Sequence, residues 1–246
     1  MTTEVPHRST PGGNEARSEH AAAARALELI PDGARVGLGS GRAATEFIAQ
    51  LGARVLAGLR VAGVPTSQAA ADQARKVGVP LIELQDGVAL DVTVDGADEV
   101  APNLDLVKGW GGGVVRERIV AASSRRQVIV AGTEKLVRAL GERGRVPIEV
   151  IPLARFIAAK GLRALGWIPT LRTDLSGRGP FVTENGNFIL DCAPPQPLDG
   201  KAARVLEQAL LSIVGVVDTG LFLGTADIVF IGHADGRVDM LRRTQS

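Results

Sequence analysis

A run of acidic, basic and glycine residues between Asp91 and Glu117 could move a proton beside a developing negative charge. It carries two carboxylates three residues apart, Asp95 and Asp98, and then Lys108, several glycines and the carboxylate of Glu117. Carboxylates take and return protons, while an ammonium group and close backbone amides stabilise an oxyanion. The pattern therefore predicts acid–base chemistry through an anionic intermediate.

Three alternating glycines in the segment 37–41 could bind an anion. They follow an apolar segment and precede a helical pattern, so backbone N–H groups at the helix start can approach a ligand closely. Phosphate is the expected ligand. The segment 39–44 also fits a relaxed dinucleotide pattern, but that pattern needs an acid about 20 residues on, and none lies between Glu46 and Asp72. Glycines that serve only tight packing are the remaining alternative.

The scaffold that must position these groups is predicted from alternating strand and helix patterns. The strands lack a polar face, which indicates a doubly wound, mainly parallel α/β sheet of Rossmann-like type with helices on both sides. Ligands of such sheets bind at the carboxyl ends of the strands. The predicted strands are 35–38, 59–64, 81–84, 91–94 and 127–131, and the predicted helices start at residues 15, 43, 68 and 115.

A change of pattern near Leu140 predicts an inserted, smaller α+β domain. A hairpin is expected around Asn185-Gly186, a pair that favours tight turns. The predicted domains are therefore a disordered extension over 1–14, a Rossmann-like domain over 15–139 and 221–246, and the small domain over 140–220. The expected elements of the small domain are strand 146–151, helix 153–165, hairpin strands 181–183 and 187–191, and helix 201–211. Strands 227–232 and 237–241 are then expected to return to the first sheet.

Composition argues against several classes of function. Lysine plus arginine (28) nearly balance aspartate plus glutamate (27), and Tyr is absent, so a nucleic-acid partner is not expected. No apolar run reaches the ~20 residues that span a bilayer, so no membrane partner is expected either. The single cysteine, Cys192, excludes an intramolecular disulfide and fits a reducing compartment. We therefore expect a cytoplasmic protein.

Several segments along the chain carry a resemblance to a known family. They are VGLGSGRAATEFI (36–48), DGADE (95–99), KGWG (108–111), REXI in the form RERI (116–119), the lysine of GTEKLV (135), PIEVIP (147–152) and VTENGNFILD (182–191). They occur in the order found in ribose-5-phosphate isomerase of the A type, which this sequence resembles. The resemblance implies interconversion of D-ribose 5-phosphate and D-ribulose 5-phosphate through an enediolate. It also implies a homodimer, and the chemistry needs no redox cofactor, since carbon oxidation levels only exchange.

Roles for individual residues also follow from the resemblance. Glu117 resembles the catalytic base and Lys108 the charge stabiliser, while Asp95 and Asp98 resemble residues that bind sugar hydroxyls and assist ring opening. Lys135 resembles a sugar- or phosphate-binding group. The full predicted substrate-binding set is Ser40, Gly41, Arg42, Ala43, Gly96, Ala97, Gly109, Trp110, Gly111 and Lys135.

The acidic residues also have interpretations other than acid–base catalysis. An Asp-Gly pair is often only a turn, and a glutamate in a first helical turn is often a surface residue favoured by the helix dipole. Magnesium ligation by Asp95, Asp98 and Glu99 is a third possibility, although nothing in the sequence requires it. No metal site is expected.

The chain departs from the family pattern at two places. It has Ser-Gly-Arg-Ala over 40–43 where the family commonly has Thr-Gly-Ser-Thr, and it has Trp110 inside the glycine run. Arg42 could grip a phosphate bidentately or could be a solvated first-turn residue. An indole at position 110 would be strained if that position needs a positive φ.

Two other functions compete with isomerisation. A phosphosugar-sensing module on a related fold would keep the glycine loop but should carry a DNA-binding helix pair, for which the N-terminal region is too short and polar. A coenzyme A transferase of similar architecture would use its glutamate as a nucleophile toward a thioester.

Overall fold

The computed structural model describes residues 13–85 and 89–243, and within them it contains six α-helices and thirteen β-strands. The helices are α1 (Gly13–Leu27), α2 (Arg42–Leu56), α3 (Gln68–Lys76), α4 (Val114–Ala122), α5 (Arg155–Ala164) and α6 (Gly200–Leu211). The strands are β1 (Ala34–Leu38), β2 (Val61–Pro65), β3 (Val92–Asp95), β4 (Glu99–Val100), β5 (Leu106–Val107), β6 (Gln127–Gly132), β7 (Val146–Val150), β8 (Ile168–Leu171), β9 (Phe188–Ala193), β10 (Val216–Thr219), β11 (Leu221–Phe222), β12 (Ile228–Gly232) and β13 (Val238–Arg242).

A six-stranded sheet in the order β13-β12-β6-β3-β1-β2 forms the centre of the larger part of the fold. All neighbouring strands are parallel except β13, which pairs antiparallel with β12. The predicted α/β class and the return of the last two strands to the first sheet are confirmed. The predicted extension over 1–14 lies almost wholly outside the described residues, and its last two residues already belong to α1.

Both faces of the inner strands of this sheet are buried, which explains why those strands lack a polar face, whereas the edge strand β13 is largely exposed. Val128 and Val130 of β6 pack in the cluster that contains α1, α2 and α3, whereas Ile129 and Ala131 pack on the opposite side. Alternate residues of a strand point to opposite faces, so both sets must be apolar. The second face is covered by α4 and by a three-stranded sheet in the order β11-β5-β4, in place of a complete helical layer.

A four-stranded antiparallel sheet in the order β10-β7-β9-β8, which we call the small sheet, packs with α5 and α6 around a separate core. Trp167 is buried at the centre of that core with Leu162 and Ile148. This unit corresponds to the predicted small α+β region. The division of the chain at residues 140 and 220 stays a prediction.

Two local expectations were wrong, and strand β8 was not predicted. Leu81 forms only a single bridge with Gly63, and the predicted strand 81–84 is held by apolar contacts at the sheet edge. The turn at Asn185-Gly186 is present, but the segment 181–183 forms only a single antiparallel bridge, from Val182 to Phe188, and not an extended strand. The strands on either side of β9 are β7 and β8. Strand β8 was not predicted from the sequence because it is only four residues long and contains Pro169, and a proline argues against a strand except at a sheet edge.

None of the helices in the described part of the chain is long and apolar enough to cross a membrane.

Candidate active site

The predicted chemical residues collect where the strand order of the central sheet reverses. The chain passes from β1 to β2 on one side and then returns to place β3 on the other side of β1. Loops that follow β1 and β3 therefore diverge and leave a crevice between them at the carboxyl ends of the strands. The glycine segment after β1, the loop that follows Asp95 at the end of β3, and the turn after β6 that carries Lys135 all border this crevice.

Gly39 allows the end of β1 to lie against Asp95. A Cβ atom at position 39 would lie 2.5 Å from the Cα atom of Asp95, so a larger residue would displace the backbone. The close approach lets one carboxylate oxygen, Oδ1, accept hydrogen bonds from the backbone N–H groups of Ser40 (3.0 Å) and Gly96 (2.7 Å). Asp95 is therefore fixed by the backbone of two loops.

Lys108 lies between two buried carboxylates. Its Nζ atom is 2.9 Å from Oδ2 of Asp95 and 3.3 Å from Oε2 of Glu117, and it donates a hydrogen bond to the carbonyl of Gly96. All three charged side chains are at most 5% exposed. We call this cluster the Asp95–Lys108–Glu117 triad. When both carboxylates are ionised, the single ammonium leaves the triad with one uncompensated negative charge.

The triad shifts the proton affinity of its members. Burial opposes the charge on Lys108, but the carboxylates of Asp95 and Glu117 outweigh it and raise the pKa of the ammonium. Burial raises the pKa of Glu117 to about 7, and repulsion from Asp95 and Asp98 adds to this effect, while Lys108 acts in the opposite direction. Lys108 thus stays charged at neutral pH, whereas Glu117 is present in both its ionised and its protonated form.

The loop 109–113 connects β5 to α4, the helix whose first turn carries Glu117. The positive φ values in this loop fall on Gly109 (95°) and Gly112 (97°). Position 110 does not need a positive φ, so the backbone of Trp110 is not strained. The backbone N–H of Trp110 donates to Oδ2 of Asp98 at 2.9 Å, and its indole N–H donates to the carbonyl of Arg145 at 3.0 Å. The indole packs toward the core of the small sheet.

The body of α4 is anchored by Arg118, which follows Glu117. Its guanidinium forms an ion pair with Asp218 at 2.6 Å and donates to the carbonyls of Thr219 (2.8 Å) and Leu221 (2.9 Å). It also stacks over the Phe222 ring, 4.3 Å from the ring centroid. The helix therefore cannot rotate Glu117 away from Lys108 without breaking these contacts.

A pocket of ≈ 560 Å³, which includes the space at its mouth, opens above the triad. Asp95 lies beneath it against Lys108, and Trp110 is not among the lining residues. The predicted residues that line it are Ser40, Gly41, Arg42, Ala43, Gly96, Ala97, Asp98, Lys108, Gly109, Gly111, Glu117 and Lys135.

One end of the pocket is formed by the start of α2. Gly41 precedes this helix with a φ of 84°, and no side chain caps it, so its first-turn amides face the pocket end uncapped. Arg42 lies there but is paired with the carboxylates of Glu15 (2.9 Å) and Glu19 (3.1 Å) on α1. Its guanidinium is therefore held beside the pocket by acidic partners, which the sequence did not reveal.

Glu99 does not join Asp95 and Asp98 as a ligand set. Its side chain is fully buried, and its two oxygens accept hydrogen bonds from the backbone N–H groups of Gly141 (2.6 Å) and Arg143 (3.0 Å). Across the described residues, no group of three or more His, Cys, Asp or Glu side chains is arranged to hold a metal ion. The magnesium alternative thus loses one of its three ligands.

Several residues of the site were not found from the sequence. Glu19 and Glu134 line the pocket, and Arg172, which directly follows β8, contacts the loop 109–113. Glu134 precedes Lys135 in the GTEKLV segment, so its neighbour could have indicated it. Glu19 and Arg172 come from distant segments, and no local pattern marks them.

Comparison with known proteins identifies the family. The family model for ribose 5-phosphate isomerase A (phosphoriboisomerase A) matches residues 62–236. The ribose-5-phosphate isomerase A of Deinococcus radiodurans is 44% identical over 223 residues, which cover 90% of this chain and 96% of that protein.

Solved structures agree. A D-ribose-5-phosphate isomerase in complex with phospho-erythronic acid superimposes with a TM-score of 0.88 at 37% identity, covering 93% of this chain and 99% of that one. The ribose 5-phosphate isomerase A of Methanocaldococcus jannaschii gives a TM-score of 0.85 at 37% identity, with 91% and 97% covered. The likeness thus spans both the central sheet and the small sheet, and the chain belongs to the ribose 5-phosphate isomerase A family.

Proposed function

We propose that this protein interconverts D-ribose 5-phosphate and D-ribulose 5-phosphate by proton transfer through an enediolate. The observation that carries the proposal is the Asp95–Lys108–Glu117 triad at the floor of a pocket at the strand-order reversal. Family membership favours this activity over the phosphosugar-sensing and coenzyme A transferase alternatives.

In the proposed mechanism Glu117 takes the proton from C2 of the open-chain aldose and returns it to C1. The electron pair of the C2–H bond forms the C1–C2 double bond, and the carbonyl oxygen at C1 gains negative charge. Lys108, whose Nζ lies 3.3 Å from the Glu117 carboxylate, stabilises that oxygen. In the second half-reaction the hydroxyl proton on O2 passes to O1, the C2=O bond forms, and the C1–C2 electron pair takes the proton from Glu117 at C1. One base thus serves both carbons.

Asp95 and Asp98 have different proposed tasks. Asp95 holds Lys108 in place and keeps it charged. Burial raises the pKa of Asp98 above its ordinary value, and its carboxylate lines the pocket. A carboxyl group of this kind can carry a proton between sugar hydroxyls and the ring oxygen, which ring opening requires.

A direct experiment is isomerisation of ribose 5-phosphate in D₂O after exhaustive chelation. We expect activity to persist and deuterium to appear at C1 of ribulose 5-phosphate, since a proton held by Glu117 can exchange with solvent. Loss of activity in EDTA with rescue by magnesium would revive the metal alternative. Reaction with an acyl-coenzyme A in place of the sugar would favour the transferase.

The acidic limb of the pH profile should be set by Glu117. A base must be deprotonated to act, and the pKa of Glu117 is raised to about 7. We therefore expect kcat/KM to fall about tenfold per pH unit below that value and to level off above it. Phosphate esters titrate near pH 6, so a limb found there, and retained in Glu117→Gln, would belong to the substrate.

Arg42 is proposed to bind the phosphate group at the start of α2. Because phosphate does not react, its contacts stabilise ground and transition states alike, so Arg42→Ala should raise KM well above tenfold and change kcat only a few-fold. Arg25→Ala, which removes another arginine paired with a glutamate, is the control and should leave KM unchanged. An unchanged KM in Arg42→Ala would mean that Arg42 serves only Glu15 and Glu19.

A homodimer is the proposed assembly. Leu153, Phe156, Ile157 and Val214 are exposed on the small-sheet unit, with exposures from 56% to 92%. Contiguous exposed apolar side chains are typical of association surfaces. The molecular mass in solution, measured by light scattering, tests this proposal, and the mass of one chain would contradict it.

A cytoplasmic location is proposed on the basis of Cys192. It is the single cysteine of the chain and a free thiol, which fits a reducing compartment. Fractionation of cells followed by activity measurement would test the location.

A further inference from the structure

The loop 109–113 is held from three directions. Within the loop, the backbone N–H of Gly112 donates to the carbonyl of Gly109 at 3.0 Å. From the floor of the site, Asp98 accepts the N–H of Trp110. The third direction is the small sheet, which supplies partners for the two carbonyl groups at the start of the loop. Those carbonyls belong to Gly109 and Trp110, and both bind Arg172.

Arg172 follows β8 and reaches across to the loop. Its Nη1 atom donates to the carbonyl of Trp110 at 3.0 Å and to the carbonyl of Gly109 at 3.3 Å. Its side chain is only 9% exposed. The guanidinium is therefore a buried bridge between the small sheet and the segment that leads into α4.

Asp191 on β9 fixes the orientation of this guanidinium. Its two oxygens accept hydrogen bonds from Nε (2.9 Å) and Nη2 (2.5 Å) of Arg172, a bidentate arrangement that leaves Nη1 for the loop. Arg145 lies 3.0 Å from the same carboxylate. Burial works against the charge of Asp191, but the two guanidinium groups hold its pKa below the ordinary value.

Phe181 closes the arrangement on its outer side. Its backbone N–H donates to the carbonyl of Arg172 at 2.8 Å, and the guanidinium lies 5.6 Å from the ring centroid. The ring packs against Gly112, where an added Cβ would lie 2.5 Å from the ring, so only glycine fits. Arg172 and Phe181 together contact both ends of the turn 109–112.

We propose that Arg172 is a positioning residue for catalysis: by binding the carbonyls of Gly109 and Trp110, it fixes the loop that sets Glu117 and Asp98 against the substrate. The proposal rests on the proposed function, in which Glu117 is the base. Misplacement of a catalytic group by about 1 Å can cost on the order of 10² in rate. Arg172 acts at a distance, since it is not among the pocket-lining residues.

The test is Arg172→Met, assayed with ribose 5-phosphate that carries protium or deuterium at C2. We expect kcat to fall between about tenfold and 10²-fold, KM to change only a few-fold, and the isotope effect on kcat to rise, because proton transfer becomes slower than other steps. A smaller folded fraction would lower the apparent kcat but would leave the isotope effect unchanged, so the two explanations separate.

Arg145→Met is the matched control. It removes a guanidinium from the same Asp191 carboxylate and the stacking of that guanidinium over the Trp110 ring, 5.2 Å from the ring centroid, but it removes no bond to the carbonyls of the loop. We expect its kcat and isotope effect to stay close to those of the wild type. Equal kcat losses in Arg172→Met and Arg145→Met, with an unchanged isotope effect in both, would overturn the positioning role.

Arg172→Lys keeps the inference testable if the methionine variant does not fold. Lysine can retain the charge pairing with Asp191 but cannot bind the carboxylate bidentately and both carbonyls together. An intermediate loss of kcat with a raised isotope effect supports the proposal, and full activity with an unchanged isotope effect overturns it. An inactive wild-type protein would instead contradict the proposed function itself.

Discussion

Glu117→Gln should lower kcat by on the order of 10³ or more while the fold survives. Glutamine keeps the volume of the buried side chain and can still hydrogen-bond, but it cannot accept a proton from carbon. General base catalysis contributes typically about 10² to 10⁴-fold, and here one group serves both C2 and C1. Stopped or discontinuous assays of ribulose 5-phosphate formation, with circular dichroism to verify folding, give the measurement.

The structure adds an expectation about stability to this variant. Glu117 lies within the triad that carries one uncompensated negative charge, and its own pKa is raised by burial and by Asp95. Removing that charge should therefore leave the midpoint of thermal unfolding unchanged or raise it. Glu46→Gln, on α2 and paired with His20, is the control that should retain full activity. A folded Glu117→Gln enzyme within tenfold of wild-type kcat would remove Glu117 from the role of base.

Sequence alone could place Asp95 because its position is set by local pattern. A β-branched segment ends at this residue, and polar groups at the carboxyl ends of parallel strands meet at one edge of the sheet. The alternation of strands and helices predicted that edge, and the structure places Gly39 and Asp95 in contact there. Local periodicity was sufficient for this part of the fold.

The approach of Lys108 to Asp95 could not be derived from local pattern. It depends on the two-residue strands β4 and β5, which turn the chain back through Leu104, a non-glycine residue with a φ of 63°. Such short strands carry no periodicity, and a left-handed leucine is not suggested by its residue type. The resemblance to a family supplied what the pattern could not.

Ion pairs between distant segments were also beyond the sequence. Arg42 meets Glu15 and Glu19 because α1 packs on α2, and Arg172 meets Asp191 because β8 pairs with β9. Which charged residues face each other depends on helix orientation and strand register, and a one-residue change of register reverses the face. These contacts therefore become visible only with the fold.

Lys108→Met should be the most damaging single change in the pocket. It removes the group proposed to stabilise the oxyanion, a loss of about 10²–10³-fold by itself. It also leaves Asp95 and Glu117 buried without their shared cation, so the pKa of Glu117 should rise further and the base should be protonated at neutral pH. We expect kcat at pH 7 to fall by 10³-fold or more and the acidic limb of the pH profile to move to higher pH.

Breaking a buried ion pair costs about 3–5 kcal/mol of stability, so loss of activity could reflect unfolding alone. The double variant Lys108→Met with Asp95→Asn separates the two effects. The Asp95→Asn change removes one of the two carboxylate charges that Lys108→Met leaves buried without a cation. The midpoint of thermal unfolding should therefore return much of the way to the wild-type value, but no cation is restored beside the enediolate oxygen. We therefore expect stability to return while kcat stays low. Recovery of kcat together with stability would show that Lys108 serves the fold and that another group stabilises the intermediate.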